Sequence, residues 1–292
     1  MHWFDADAGR RREMADRTIE ANGVWLCTEP FGDPSDPPIL LVIGIGASML
    51  WWDESFCRLL AEGGRYVIRY DHRDTGRSVT YPPGQPGYTS SDLVADAAAV
   101  LDAYRVPAAH VVGVSAGGAL AQLFALEFPD RVLSLVLIST SPALPIQRNL
   151  PPPTEKFTRF VRTAQIDRTN TASTIEYVVA YSRMLAGGER PFDEAAMREL
   201  VRRDVERARD LAAAQNHELF AEGEQPRRPL SAIEVPTLVI HGTADPMFPI
   251  EHGRALAEEI PNAQLRTLEH AGHGLDPADR ETIARATLEH SA

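Results

Sequence analysis

This chain has little of what a stapled, metal-bound or nucleic-acid-binding protein needs. Its only two cysteines, Cys27 and Cys57, lack CxxC spacing and a histidine-rich neighbourhood. Neither a disulfide framework nor a zinc site is supported, and both read as structural filler. Lysine is nearly missing, with Lys156 the sole example, and 41 acidic residues against 29 basic ones leave a net charge of −12. Phosphate backbones and anionic membranes recruit basic surfaces, so neither a nucleic acid nor a membrane is expected as a partner. No segment reaches the roughly 18 consecutive apolar residues that cross a bilayer. The opening "MHWFDADAGRRREMADR" mixes charges throughout, has no apolar signal core, and predicts the cytoplasm. Neither a GxxxxGK[ST] phosphate loop nor a dinucleotide fingerprint occurs, so no cofactor and no metal is implied.

What the chain does have is short β-branched runs separated by helical segments. "RTIEA" and "VWLCTEPF" flank Asn22-Gly23, a pair that favours the positive φ angles of a tight hairpin. "PILLVI", "RYVIRY", "HVVGV", "LSLVLIS" and "PTLVIH" lack clean alternation, as parallel strands covered on both faces do. "AQLRTL" fits an edge strand. Helices are predicted over 51–61, 90–104, 116–127, 251–259 and 277–290. Such alternation predicts an α/β fold with a mostly parallel, doubly wound sheet. From about 143 to 229 it stops. A proline-rich stretch leads into three amphipathic helical segments, "TEKFTRFVRTA", "ASTIEYVVAYSRML" and "DEAAMRELVRRDVERARDLAAAQNHELF", and ends at "GEQPRRP". The expected organisation is therefore an N-terminal arm (1–17), a core in two parts (18–142 and 230–292), and a helical insertion (143–229) between them.

One motif carries chemistry. Gly113-Val114-Ser115-Ala116-Gly117 matches G-x-S-x-G and sits between a predicted strand and a predicted helix, the context in which a sharp turn lifts a serine hydroxyl above a sheet. A hydroxyl is a weak nucleophile near neutral pH and needs a base, which itself needs orienting. Asp245, just past "PTLVIH", is the candidate orienter. His273 in "EHAGHGL" is the candidate base, with His270 as its competitor. The order Ser115, Asp245, His273 suits this fold. Acyl transfer also needs donors for the developing oxyanion. The backbone N–H groups of Ala116, at a helix start, and Ile45, in the loop "GIGAS", are the candidates. The charge-rich "RYDHRDTGRS" reads as a loop ordered by Asp71, Arg73, Asp74 and Ser78. Trp51 and Trp52 either line a pocket or anchor a helix.

Taken together, the strand order and the elbow, acid and histidine motifs resemble the α/β-hydrolase superfamily from about residue 18 onward. Within it, "RYDHRDTGRS", "AHVVGVSAGG" and "VPTLVIHGTADPMFP" resemble the actinobacterial polyketide methylesterases of the aclacinomycin methylesterase type. That resemblance implies a cap in the helical insertion and hydrolysis of a small ester. Two departures stand out. Many relatives have His-Gly at the oxyanion loop, where this chain has Ile43-Gly44. Ala116 stands where that group has a bulkier residue.

The expected activity is a cofactor-independent serine hydrolase cleaving a carboxylic ester of a small apolar molecule through an acyl-enzyme. The same three groups serve carbon–carbon bond hydrolases and cofactor-free perhydrolases (haloperoxidases). A ligand receptor on a hydrolase scaffold is the reading from another class. Oligomeric state is not encoded in any motif here.

Overall fold

The computed structural model describes residues 16–223 and 228–292. Most of the arm expected over 1–17, and positions 224–227 of the segment closing the insertion, lie outside the described residues. The chain begins with β1 (Arg17–Ala21) and β2 (Val24–Phe31), joined through Asn22 at φ 49° and Gly23 at φ 73°. These positive angles are those the Asn-Gly pair predicted. Next come β3 (Pro38–Val42), α1 (Glu54–Glu62), β4 (Tyr66–Tyr70), α2 (Ser90–Ala103), β5 (Ala109–Val114), α3 (Ala116–Glu127) and β6 (Val132–Ile138). Three helices follow: α4 (Glu155–Thr163), α5 (Thr171–Leu185) and α6 (Glu194–Arg207). Then β7 (Thr237–Gly242), α7 (Glu251–Glu259), β8 (Ala263–Leu268) and α8 (Arg280–His290) complete the chain.

The eight strands form one sheet in the order β1-β2-β4-β3-β5-β6-β7-β8. Pairing is antiparallel only where β2 meets β1 and β4, and parallel across the remaining five contacts. The α/β class expected from sequence is observed. Both faces are covered, which explains the unbroken apolar runs. Leu40 and Val42 face a core shared with α2, α3 and α7, whereas Ile39 and Leu41 face one shared with α1 and α8. Each such side chain, fully removed from water, contributes roughly 1.5–3 kcal/mol of transfer free energy. Burial also pushes both cysteine thiols up to about 12, so neither supplies a thiolate near neutral pH. Among the described residues no helix is long and apolar enough to cross a membrane.

Three helix boundaries differ from the sequence expectation, each for a local reason. The segment 51–61 begins as a separate 3-10 turn, Met49–Trp51, and α1 starts only after Asp53, whose carboxylate accepts the Ser55 N–H at 2.9 Å. The C-terminal segment likewise opens with the 3-10 turn Pro277–Asp279, capped by Asp276. The long helix expected over 193–220 breaks at Ala208, which is extended at φ −63° and ψ 133°. Tertiary bonds there replace helical ones: Arg207 reaches Asp71 at 2.6 Å, and the Arg209 N–H donates to the Gly76 carbonyl at 2.9 Å. Tryptophans 51 and 52 both act as anchors. Trp52 is fully buried and stacks on Phe56, and Trp51 Nε1 donates to Asp204 of α6 at 2.8 Å.

The loop following β4 is ordered as its sequence suggested. Asp71 accepts the N–H groups of Met49 and Arg77 at 2.8 and 2.9 Å. Ser78 donates to the Asp71 carbonyl at 2.7 Å, and Asp74 accepts the Tyr81 N–H and the Tyr88 hydroxyl. Arg73 binds Asp96 of α2 through two 2.7 Å contacts, with both side chains almost wholly buried. Removing one partner of such a pair strands a charge, so Asp96→Ala should cost about 3–5 kcal/mol in urea unfolding. Replacing both residues together, Arg73→Met with Asp96→Leu, should cost much less. Equal losses in the single and double variants would show that packing, not the stranded guanidinium, sets the cost.

Candidate active site

The carboxyl ends of the parallel strands gather the loops in which α/β proteins build their sites. Ser115 sits in the turn between β5 and α3 at φ 55°, ψ −127°, a sparsely populated conformation that costs about 1–3 kcal/mol. Neighbouring groups fix it there. The Ser115 N–H donates to the Ile138 carbonyl at 2.9 Å, and Thr140 Oγ1 donates to the Ser115 carbonyl at 2.7 Å. The flanking glycines are needed for close approach. A Cβ on Gly113 would lie 2.4 Å from the Gly117 carbonyl oxygen, and one on Gly117 would lie 2.2 Å from that of Val42. Those are distances at which backbone atoms would have to move. The G-x-S-x-G spacing thus reports two clashes avoided around one strained serine.

His273 Nε2 is 2.9 Å from Ser115 Oγ, and its Nδ1 is 2.8 Å from Asp245 Oδ2. The carboxylate accepts from Nδ1–H, which leaves Nε2 free to accept the serine proton. Both partners of the histidine–aspartate bond are nearly inaccessible, the histidine side chain at 4% and the aspartate at 0%. Asp245 Oδ1 accepts the N–H groups of Met247 and Phe248 at 2.9 and 2.8 Å, which holds the carboxylate in one orientation. Beneath it, His241 Nε2 donates to the Phe248 carbonyl at 2.7 Å and lies 3.5 Å from Asp245. Burial lowers the pKa of His241, so this neighbour is a neutral brace and not an ion-pair partner. The competitor His270 is elsewhere: it is exposed and pairs with Glu189 at 2.6 Å.

Of the two backbone donors singled out in the sequence, Ala116 is the first residue of α3, and Ile45 lies in the loop after β3. Neither N–H has an acceptor among the described residues. The loop is close to the serine, because a Cβ on Gly44 would be 3.3 Å from Ser115 Cβ and 3.8 Å from its Oγ. Two histidines that sequence reading did not single out hold this loop. His72 Nε2 donates to the Ile43 carbonyl at 2.9 Å, and the Gly46 N–H donates to His217 Nδ1 at 2.7 Å. His217 Nε2 in turn donates to the Arg73 carbonyl at 2.7 Å. The segment between β6 and β7 touches the acid and histidine loops as well. The His273 N–H donates to the Leu185 carbonyl at the end of α5 at 2.8 Å. A Cβ on Gly187 would lie 2.4 Å from the Ala244 carbonyl oxygen.

A family model for the alpha/beta hydrolase fold matches residues 37–275. The chain belongs to the α/β-hydrolase family. It is 36% identical to rhodomycin D methylesterase DauP of Streptomyces sp. strain C5 and 35% identical to rhodomycin D methylesterase DnrP of Streptomyces peucetius, in each case across 95% of this chain and 98% of the relative. The likeness to methylesterases read from the sequence is therefore borne out. Among solved structures, the esterase EaEST of Exiguobacterium antarcticum superposes with a TM-score of 0.75 at 21% identity, covering 95% of this chain and 99% of that one. At that identity the likeness concerns the fold.

The environment of His217 makes a pH prediction. Burial pushes its pKa down to about 3, with the nearby His72 imidazole acting in the same direction. The unfolded chain, where the value is 6.5, therefore binds the proton first as pH falls. Its contribution to stability should be complete above about pH 6.5 and decline toward about pH 3. Urea midpoints of wild type and His217→Asn, compared at neutral and mildly acidic pH, check this. The variant should lose part of the acid sensitivity, and an unchanged pH slope would contradict the assignment.

Proposed function

We propose that this chain is a serine hydrolase that cleaves a carboxylic ester of a small, apolar molecule through an acyl-enzyme intermediate. The observation that carries the reading is the continuous hydrogen-bonded relay from Ser115 Oγ through His273 to Asp245. Ser115 Oγ attacks the ester carbonyl while His273 Nε2 takes its proton. Asp245 keeps the imidazole in the required tautomer and stabilises the imidazolium that forms. The carbonyl oxygen gains negative charge and is met by the N–H groups of Ala116 and Ile45. Collapse of the tetrahedral intermediate breaks the C–O bond, and the alcohol leaves with the proton from His273. Water, deprotonated by the same imidazole, then attacks the acyl-enzyme and releases the acid and Ser115.

The kinship with two methylesterases supports a methyl ester as the bond cleaved. In this reading residues 18–142 and 230–292 form the hydrolase core, and 143–229 form a cap whose inner side selects the acyl group. Contacts from this segment to Asp71, Asp74, Gly46 and His273 support a cap seated on the site.

The test has two parts. A fluorophosphonate should label Ser115 alone, as mapped by mass spectrometry, and labelling elsewhere would remove the nucleophile assignment. Asp245→Asn should lower kcat for methyl esters by about 10⁴-fold with KM little changed, because the imidazole would be held in the wrong tautomer. A loss of only a few-fold would show that Asp245 does not orient the base.

A further inference from the structure

The loop proposed to carry the Ile45 donor has little of its own to hold it in place. It runs Ile43-Gly44-Ile45-Gly46, with two glycines and no polar side chain, and Gly46 adopts φ 75°. A backbone donor stabilises an oxyanion only if it is already aimed, and an error of about 1 Å can cost roughly 10²-fold in rate. Ile45 is 42% exposed, so packing of its side chain does not aim the loop. The anchors are external. His72 grips the carbonyl before Gly44, and His217 grips the N–H after Ile45. The Ile43–Gly44 and Ile45–Gly46 peptides on either side of the Ile45 N–H are each bound to an imidazole. Because a peptide unit is planar, holding these two leaves the Gly44–Ile45 peptide between them little freedom to shift.

The tautomers follow from the partners. Gly46 offers only a donor, so His217 Nδ1 must accept, and its single proton resides on Nε2, directed at the Arg73 carbonyl. His217 is 3% exposed, its ring lies edge-on to His72, Tyr88 and Phe220, and its pKa is depressed to about 3. With Nδ1 accepting from Gly46 and the single proton on Nε2, the ring is a neutral acceptor in this structure. This residue comes from the 3-10 segment Ala212–Glu218, within the helical insertion and 171 positions away from Gly46.

We infer that His217 is a positioning residue for catalysis: by accepting the Gly46 N–H it holds the Ile45 N–H where the oxyanion forms, and so makes the insertion part of the oxyanion site. The inference rests on the proposed roles of Ser115 and Ile45. Two near-isosteres separate its two hydrogen bonds. In His217→Asn the amide oxygen falls near the position of Nδ1 and can still accept from Gly46. In His217→Gln the amide nitrogen reaches toward the position of Nε2, which keeps the bond to Arg73 and gives up the one to Gly46.

Steady-state kinetics on a methyl or p-nitrophenyl ester, with melting temperatures for each variant, provide the test. His217→Gln should lose roughly 10- to 100-fold in kcat with KM within about threefold, and its rate of fluorophosphonate labelling should fall in parallel. His217→Asn should stay within about threefold of wild type in kcat. A residue that served stability alone would give kcat losses that track the melting temperatures, with no preference for the Asn variant. That pattern, or a loss confined to KM, overturns the inference. A measurement on the wild type covers the case in which the Gln variant does not fold: the Gly46 amide should exchange slowly with solvent, and fast exchange overturns the inference as well. Failure of the underlying reading looks different. Wild-type protein that neither turns over esters nor labels at Ser115 removes both proposals, whereas an active, Ser115-labelled enzyme indifferent to His217→Gln removes only this one.

Discussion

The backbone of one residue organises everything around it. Ser115 is held at a positive φ that an L-residue avoids, and the strain of about 1–3 kcal/mol persists because neighbours fix both ends of the turn. Its N–H is tied to β6, its carbonyl to Thr140, and glycines stand where any side chain would strike backbone. Relaxing the turn would lower the hydroxyl back toward the strand direction and away from His273. The sheet and its two cores supply the rigidity that such a turn demands. Parallel strands covered on both faces cannot shift individually without opening a core.

The second level of organisation comes from the segment between β6 and β7. It is bound to four loop residues: Arg207 to Asp71, Asn216 to Asp74, His217 to Gly46, and the Leu185 carbonyl to the His273 N–H. Each tie falls on a loop at the carboxyl end of a strand. The loops after β3, β4 and β8 are thereby connected through residues 185–217, and the insertion does more than cover a core already complete. It is bonded to the backbone of Gly46 and of His273.

Legibility in the sequence followed the range of the interactions. Strands and most helices were readable because period and apolarity are local properties, and the Asn22-Gly23 turn because two adjacent residues determine it. Ser115, Asp245 and His273 could be named because each sits in a short motif next to a strand end. The break at Ala208 was not readable: the sequence over 193–220 has a continuous helical period, and only contact with the loop after β4, 136 positions earlier for the Arg207–Asp71 pair, supplies competing partners for Arg207 and Arg209. His217 was hidden for the same reason. In "AAAQNHELF" it resembles any polar residue on an amphipathic helix, and its partner is a backbone N–H, which leaves no mark on the sequence. The missing histidine at position 43 was visible, but the two residues that hold the loop in its absence come from other parts of the chain.

Electrostatics separate the interior from the surface. The buried acids are matched: Asp96 by Arg73, Asp71 by Arg207, and Asp74 by Tyr88 and Asn216. Asp245 is held by two backbone N–H groups and the His273 imidazole, and among the described residues no arginine or lysine pairs with it. Backbone dipoles orient the acid toward His273. Beside Ser115 stand the His273 imidazole, with the Phe248 ring edge-on to it at 5.5 Å between centroids, and the backbone of Gly44.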